Sequence, residues 1–336
     1  MKKLLLVLLA FVFVSSNYAQ QKPYYTQYIL NNYILNPALS GIENYIDVKM
    51  SVRNQWVGLN GAPKTMYFSA HGPIGKKDYK TSATSFNVPG QNTRGESYWE
   101  NYEASEPHHG VGVSLIKDQT GLYSHFTANI SYAYHLGISS RTNISAGFSG
   151  GIHKISYDRP KATPVDPNDP ALGNGADLYK MTPDLNAGIW IYSADYFIGL
   201  AAQQIIPQKL SFTSGSGFNL VPHFFGTAGY RFLLNDNFNI TPSVMIKYVP
   251  GISVPAQFDL NLKIQYQDIF WMGGSYRVEE GYAAMIGANV GNSFNLGYSY
   301  DLTTTDLNTV SRGTHEFVIG VLIGNRFKDK CPANIW

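Results

Sequence analysis

The chain has 336 residues and a net charge of +2, and only 14% of its residues are Asp, Glu, Lys or Arg, whereas an average soluble domain has about 25%. Its one cysteine, Cys331, excludes an intramolecular disulfide and a cysteine metal cluster, and the lack of a basic run gives nucleic acid binding no support. Because 32 residues are Gly and 24 are Tyr, and no run after residue 20 approaches the ~18 apolar residues of a spanning helix, the composition favours a transmembrane β-barrel over a soluble β-sandwich.

The N-terminus has the pattern of a secretory signal peptide over residues 1–19. Lys2 and Lys3 form the charged region, residues 4–14 form the apolar core, and cleavage is expected after Ala19. The polar residues 20–44 lack alternation and contain turn residues. We expect them to form a periplasmic or plug-like segment, with a flexible linker as the alternative.

From residue 45 onward, apolar and polar side chains alternate with a period of two. Between Phe126 and Leu136 the residues at even positions are apolar, and those at odd positions are polar except for Ala133. This period indicates strands, and its repetition in segments of about ten residues is typical of a membrane barrel. Turn chemistry then predicts fourteen strands, near residues 45–56, 64–72, 110–118, 122–137, 142–157, 184–193, 195–203, 222–234, 237–249, 256–266, 268–278, 281–291, 293–302 and 314–327.

The lengths of the connections predict a topology. Short turns alternate with mostly longer loops, and barrels of this kind have short periplasmic turns and long outer loops. We therefore expect an antiparallel barrel over residues 45–327 in the outer membrane, with both termini periplasmic, long loops at the cell surface and a tail at 328–336. Residues 73–109 form a long insertion on the predicted periplasmic side, either as a disordered insertion or as a contact element.

The two faces of the predicted strands carry different side chains. Charged residues fall mostly at lumen positions, and a charge facing lipid at mid-depth would cost about 2–4 kcal/mol. Aromatic residues near strand ends predict rings at the two membrane interfaces; they are Tyr45, Trp56, Tyr123, Trp190, Tyr192, Tyr196, Trp271, Tyr276, Tyr298 and Tyr300. The parity also places His125, His135, His223 and His315 in the lumen.

The sequence gives little support for enzyme chemistry. It contains no Gly-x-Ser-x-Gly elbow of the kind that hydrolases use. His108 and His109 are adjacent, whereas ligands on a strand should be two residues apart to face one way. Asp166, Asn168 and Asp169 lie in a turn-rich loop with Asp177 and could gather calcium, but the central Gly of an EF-hand loop is missing. We expect no catalytic residue, no metal site and no cofactor.

Several motifs resemble those of the PorP/SprF family of type IX secretion system outer-membrane proteins. RNQWVGLNGAPKT (53–65) is the most specific, and TQYILNNYILNPALSG (26–41) is similar to the N-terminal signature of the family. The remaining matches follow in family order: GVGVSLIKDQTG (110–121), HFFGTAGYRF (223–232), PSVMIKY (242–248), FWMGGSYR (270–277), FNLGYSYD (294–301) and GTHEFVIG (313–320). Residues 76–108 form a stretch longer than the usual connection in the family, so the resemblance implies no role for them.

The resemblance implies a non-enzymatic barrel in a Bacteroidetes-type outer membrane, with a role in type IX secretion or gliding motility. The implied partners are a secreted, adhesin-like cargo protein that ends in a sorting domain and other translocon or periplasmic motor and ring components. The barrel would bind this cargo and anchor it at the cell surface or help its export. A general diffusion porin or small-molecule channel is the alternative, and an outer-membrane hydrolase is a third.

The expected contact regions for the cargo are residues 57–64, 158–183, 204–221 and 303–313. The residues that we expect to contact a partner or to shape the motifs are Tyr28, Asn36, Pro37, Arg53, Gln55, Trp56, Gly58, Gly61, Pro63, Lys64, Asp118, Arg277, Tyr300, Asp301, His315 and Glu316.

Overall fold

The structure is a computed structural model that describes residues 25–76, 104–158, 178–213, 216–235, 237–250, 255–267, 269–291 and 293–325. The described chain forms the strands β1 Ile46–Asn54, β2 Lys64–Ile74, β3 His108–Thr120, β4 Tyr123–Gly137, β5 Asn143–Tyr157, β6 Leu178–Tyr192, β7 Tyr196–Gln203, β8 Gln208–Thr213, β9 Ser216–Leu220, β10 His223–Tyr230, β11 Phe232–Asn235, β12 Phe238–Tyr248, β13 Gln257–Tyr266, β14 Phe270–Arg277, β15 Gly281–Val290, β16 Phe294–Thr303 and β17 Thr314–Ile323. The predicted signal peptide (1–19), the predicted tail (328–336) and the candidate calcium ligands between residues 166 and 177 lie outside the described residues.

Fourteen strands close into an antiparallel barrel. Sequence neighbours pair around the ring, β1 pairs with β17, and β10 pairs with β12. The short strand β11 also pairs with β12 and continues β10 after a break at Arg231, so the two form one interrupted strand. Strands β8 and β9 form a separate hairpin between β7 and β10. Closure gives every strand of the ring two neighbours, as a barrel in lipid requires.

The predicted all-β barrel with fourteen strands is confirmed, with two local differences. The predicted loop 204–221 contains the β8–β9 hairpin, and β6 begins six residues earlier than expected, at Leu178. Pro183 is unusual inside a strand, because proline lacks the N–H that a central strand donates. The pairing of β6 with β7 spans only Ala187–Tyr192, so Pro183 lies where β6 projects past its neighbour.

The alternation separates an apolar outside from a polar inside. On β4 and β5, Ile130 and Phe148 point outward and are 72% and 61% exposed, whereas Ser131 and His135 point inward and are buried. Outward side chains meet lipid and inward ones meet the lumen, so each face has the composition that its surroundings favour. No helix in the described part of the chain is long and apolar enough to cross a membrane.

The two ends of the barrel differ in their connections. The end that we call the turn end carries the tight turns 138–142, 193–195, 236–237, 267–269 and 291–293. It also carries the β2–β3 connection, which runs from residue 75 to residue 107 and is described only in part. The opposite end, which we call the loop end, carries the connections 55–63, 121–122, 158–177, 204–222, 249–256, 278–280 and 304–313.

Two sequence expectations about the faces of the strands are wrong. Trp190, Tyr192 and Trp271 are buried inside the barrel and do not lie at the lipid interface, because apolar side chains of the chain itself fill the lumen at their level. His315 faces outward, since its neighbours Thr314 and Glu316 point inward, and its Nδ1 lies 2.8 Å from the hydroxyl oxygen of Tyr298 on the same face.

Candidate functional site

The segment from Tyr25 to Tyr45, which we call the plug, lies inside the barrel. It forms three short 3-10 turns, Thr26–Leu30, Asn32–Ile34 and Pro37–Leu39, and every residue from 25 to 43 is buried. The third turn follows from local chemistry, because Pro37 suits a first helical position and the Asn36 side chain accepts a hydrogen bond from the Ala38 N–H at 2.9 Å. The plug is thus a folded element of short turns.

The apolar side chains of the plug pack against apolar side chains on the inner wall. One cluster joins Tyr25, Tyr28, Ile29, Leu30, Ile34 and Leu35 to Tyr67, Ala201, Phe225, Met245, Trp271 and Met285. A second cluster joins Tyr33, Ala38, Leu39 and Ile42 to Trp190, Tyr192 and Phe197. Because these wall residues come from strands all around the ring, the two clusters fill the lumen with a hydrophobic core that the composition of a polar interior did not predict.

Polar groups of the plug bond to the wall on many sides. Asn31 donates to the Ser69 hydroxyl at 2.9 Å, and the Tyr33 hydroxyl lies 2.7 Å from the Ser131 hydroxyl. Asn36 donates to the backbone carbonyl of Ile189 at 3.0 Å. Further bonds run from Gln203 to the carbonyls of Ile34 and Leu35 and from Ser145 to the carbonyl of Ala38. Buried backbone groups of the plug therefore find partners on the wall, as burial requires.

Inward-facing glycines allow this close contact. A Cβ on Gly110 would lie 1.7 Å from the Ser40 carbonyl oxygen, and one on Gly147 would lie 2.6 Å from the Ala38 Cα atom. On Gly188 a Cβ would lie 2.0 Å from the Asn36 Oδ1 atom. At these positions any larger residue would force the plug and the wall apart.

A buried ionic cluster holds the first residues of the plug. Arg53 donates to Glu316 at 3.0 Å, to Asp301 at 2.7 Å and to the Thr26 hydroxyl at 2.7 Å. Glu316 also accepts the backbone N–H groups of Thr26 and Gln27, at 2.9 and 3.3 Å. Arg53 and Glu316 are 3% and 0% exposed, so the cluster is shielded from solvent and its electrostatic attractions are strong.

The plug crosses the lumen lengthwise. Thr26 bonds to side chains of β1, β16 and β17 that lie close to the loop end. The Ser40 carbonyl oxygen, in contrast, lies 2.8 Å from the Nε2 atom of His135, which is two residues from where β4 reaches the turn end. The chain then leaves the lumen at Tyr45 and begins β1. The prediction that both termini are periplasmic concerns residues 1–24 and 326–336, which lie outside the described residues.

A cavity of about 380 Å³ opens above the plug at the loop end. Seven of the sixteen predicted site residues line it: Arg53, Gln55, Trp56, Pro63, Asp118, Arg277 and Asp301. Its rim includes the β1–β2 connection, which bonds to the β16–β17 connection through Val57 N–H to Gly313 O at 2.9 Å and Arg312 N–H to Val57 O at 2.7 Å. We call this cavity with its rim the loop-end cup.

The other predicted site residues lie elsewhere. Tyr28, Asn36 and Pro37 belong to the plug, Glu316 lies in the ionic cluster, and Gly58 and Gly61 shape the β1–β2 connection with φ angles of 106° and 73°. Lys64 points outward at the start of β2, and Tyr300 and His315 share the outward face of β16 and β17. Among the described residues, His, Cys, Asp and Glu side chains form no group of three that could hold a metal ion.

The sequence did not predict a contact with the plug for several residues on which the plug depends. Gln203, Ser131, Ser145 and His135 bond to it, and Trp190 and Trp271 pack on it. The available signal was the alternation itself, which places large aromatic residues on the inward face of the strands. Such side chains need apolar partners inside an otherwise polar lumen.

Solved outer-membrane barrels resemble this chain at low sequence identity. The toluene transporter TbuX of Ralstonia pickettii has a TM-score of 0.48 and 9% identity over 86% of this chain and 92% of its own. The CymD monoaromatic hydrocarbon channel has a TM-score of 0.47 and 9% identity over 87% and 91%. The toluene transporter TodX of Pseudomonas putida has a TM-score of 0.42 and 8% identity over 92% and 94%.

No curated protein matches the chain. A family described as type IX secretion system membrane protein PorP/SprF matches residues 17–321, which include the plug, the loop-end cup and the barrel except for the last two residues of β17. The match covers almost the whole chain, and the chain therefore belongs to the PorP/SprF family of type IX secretion system membrane proteins.

Proposed function

We propose that this protein is a non-enzymatic docking barrel of the type IX secretion machinery. It binds a secreted, adhesin-like cargo protein and anchors it at the cell surface or helps its export. The observation that carries the proposal is the filling of the lumen by the plug, whose residues 25–43 are all buried. A lumen filled by a folded segment leaves little room for solutes to pass, so the surfaces that remain for a partner are the two ends of the barrel.

The loop-end cup suits a protein partner. Its wall combines the aromatic side chain of Trp56 with charged side chains of both signs, such as Asp118 and Arg277. Binding energy in interfaces concentrates in aromatic and arginine residues that sit in pockets. The hydrogen bonds between the two adjoining connections pre-organise the rim, which lowers the entropy cost of binding. The sorting domain at the C-terminus of the cargo is the proposed occupant.

The proposed orientation places the loop end at the cell surface and the turn end in the periplasm. Short turns on the periplasmic side are the general arrangement of bacterial barrels. Cargo would then meet the cup from outside, and translocon or periplasmic motor and ring components would meet the turn end. The orientation and these partners are part of the proposal and are tested separately from the fold.

The first test is electrical conductance in a planar lipid bilayer. We expect the full-length barrel to give no large open channel, because the plug fills the lumen. A variant that lacks residues 25–44 but keeps the signal peptide removes the plug and should conduct, which controls for insertion into the bilayer. Large stable conductance of the unaltered protein would instead support the alternative of a diffusion porin.

The second test is surface display of type IX cargo. A deletion strain should lose display of one secreted protein, and the unaltered gene should restore it. The variant Gln55→Ala/Arg277→Gln changes two side chains that line the cup, and we expect it to restore display poorly. The control, Glu279→Gln, changes an exposed residue at the same end that belongs to neither the cavity wall nor the two connections of its rim. Unchanged display of every type IX cargo in the deletion strain would contradict the proposal.

A further inference from the structure

The outward face of the barrel carries very few charges. Across the described residues of the fourteen barrel strands, the Asp, Glu, Lys and Arg side chains at outward positions are three lysines, Lys64, Lys117 and Lys154. All three lie towards the loop end, on β2, β3 and β5. A charge in the middle of the lipid would cost about 2–4 kcal/mol, and this cost is small near the interface, so lysines on this face favour an interfacial position, where an anionic partner would stabilise them further.

The strand register brings the three lysines together. Lys117 and Lys154 are both directly opposite Phe126, one on each side of β4. Their Cα atoms are therefore two strand spacings apart, about 10 Å. Lys64 is opposite Gln119, two residues from Lys117 and one row closer to the loop end, which makes it a diagonal neighbour at about 7–8 Å. Long flexible side chains at these separations can converge on one group.

The surrounding side chains form a gradient from polar to apolar. The row closest to the loop end contains Lys64 with the outward polar residues Gln119, Ser124 and Ser156. In the next row, the Lys154 ammonium lies 4.9 Å from the centre of the Tyr179 ring. One row deeper the outward residues are apolar and include Leu115 and Ile152, which are 37% and 42% exposed. This order matches the passage from lipid head groups to acyl chains.

The lysines lack anionic partners within the protein. Among the described residues, no carboxylate forms an ion pair with Lys64, Lys117 or Lys154. The aromatic contact of Lys154 orients the ammonium without neutralising it. A net charge of +3 therefore remains on one small part of a face that otherwise presents apolar side chains to lipid.

We propose that Lys64, Lys117 and Lys154 form a binding site for the phosphate-bearing head group of a glycolipid in the leaflet at the loop end. Lysine ammonium groups bind phosphate as point charges, and basic clusters at the membrane surface attract anionic head groups. The hydroxyl and amide groups of the outer row can hydrogen-bond the sugar, while acyl chains lie along Leu115 and Ile152. The proposal concerns the lipid-facing wall and does not depend on the cargo.

The test measures retention of bisphosphorylated lipid A by the purified full-length barrel, using native mass spectrometry from detergent micelles. We expect the unaltered protein to retain the lipid. Each lysine near an anionic surface contributes roughly fivefold to affinity, so Lys64→Gln/Lys117→Gln/Lys154→Gln should reduce retention by on the order of 100-fold. The corresponding triple arginine variant keeps the charges and should retain the lipid.

Two controls make the result decisive. Arg312→Gln removes an exposed positive charge at the same end but off the strand wall, and it should leave retention unchanged. Heat-dependent migration on a gel checks that each variant is folded, and the double variant Lys117→Gln/Lys154→Gln replaces the triple one if that does not fold. Equal retention by the glutamine variants and the unaltered barrel would overturn the proposal, as would equally tight binding of dephosphorylated lipid A.

Discussion

Arg53, on the wall, contacts the plug directly through the Thr26 hydroxyl and indirectly through two carboxylates of the wall. Its guanidinium group bonds to Glu316 and Asp301, which also hold Thr26. Glu316 and Asp301 have Arg53 as their ion-pair partner among the described residues, and both are buried. Removal of the arginine would thus leave two buried carboxylates close to each other without a positive charge, which is far less favourable than removal of the whole cluster.

We expect Arg53→Met to lower the free energy of unfolding by about 3–5 kcal/mol, because breaking a buried ion pair leaves uncompensated charge. The measurement is the denaturant midpoint of the purified barrel in detergent. Addition of Asp301→Asn and Glu316→Gln to Arg53→Met should recover much of the loss, since the stranded charges are then gone. Arg312→Met, at an exposed arginine, is the control; a loss of the same size there would show that the cluster has no special role.

The elements that are easiest to derive from sequence are the strands. Period-two alternation and turn residues are local signals, and they predicted all fourteen barrel strands. The β8–β9 hairpin also has a local signal, because Ser and Gly residues such as those at 213–216 are frequent in turns. The plug is different, because its contacts with Ser131, Gln203 and Trp190 join distant parts of the chain, and a single sequence does not contain their pairing.

At the level of elements, the fit between β5 and the plug gives a sharp prediction. Gly147→Ala should destabilise the plug by about 1–3 kcal/mol, because the new Cβ would lie 2.6 Å from the Ala38 Cα atom. Gly150→Ala on the same strand faces outward, and its nearest neighbour would be Leu185 Cδ2 at 3.4 Å. We expect channel openings in planar bilayers to become more frequent for Gly147→Ala only. Equal behaviour of the two variants would contradict the role assigned to inward glycines.

At the scale of the whole molecule, the barrel has two ends of different character. The loop end contains the cup and the three outward lysines, and the turn end contains the tight turns and the β2–β3 connection. The proposed function needs the loop end outside the cell, whereas the fold alone is compatible with either orientation. Side-specific chemical labelling separates these two possibilities without reference to a cargo.

Removal of the one native cysteine by Cys331→Ser gives a cysteine-free chain. In that background, Asn60→Cys reports on the loop end and Ser139→Cys reports on the turn end, and both positions are exposed. We expect a membrane-impermeant maleimide to label Asn60→Cys in intact cells and Ser139→Cys only after the outer membrane is permeabilised. The opposite pattern would reverse the orientation and remove the basis for cargo docking in the cup.

The position of the plug also sets an order of events during folding. Thr26 bonds to Glu316 across 290 residues of sequence, and β1 pairs with β17 to close the ring. A segment that precedes β1 is therefore enclosed by a wall that closes only after β17 has been made. Contacts of such long sequence separation make folding slow. During that interval the unclosed edges of β1 and β17 would be open to pairing with other chains, so the precursor should depend on assembly factors more than a barrel with an empty lumen does.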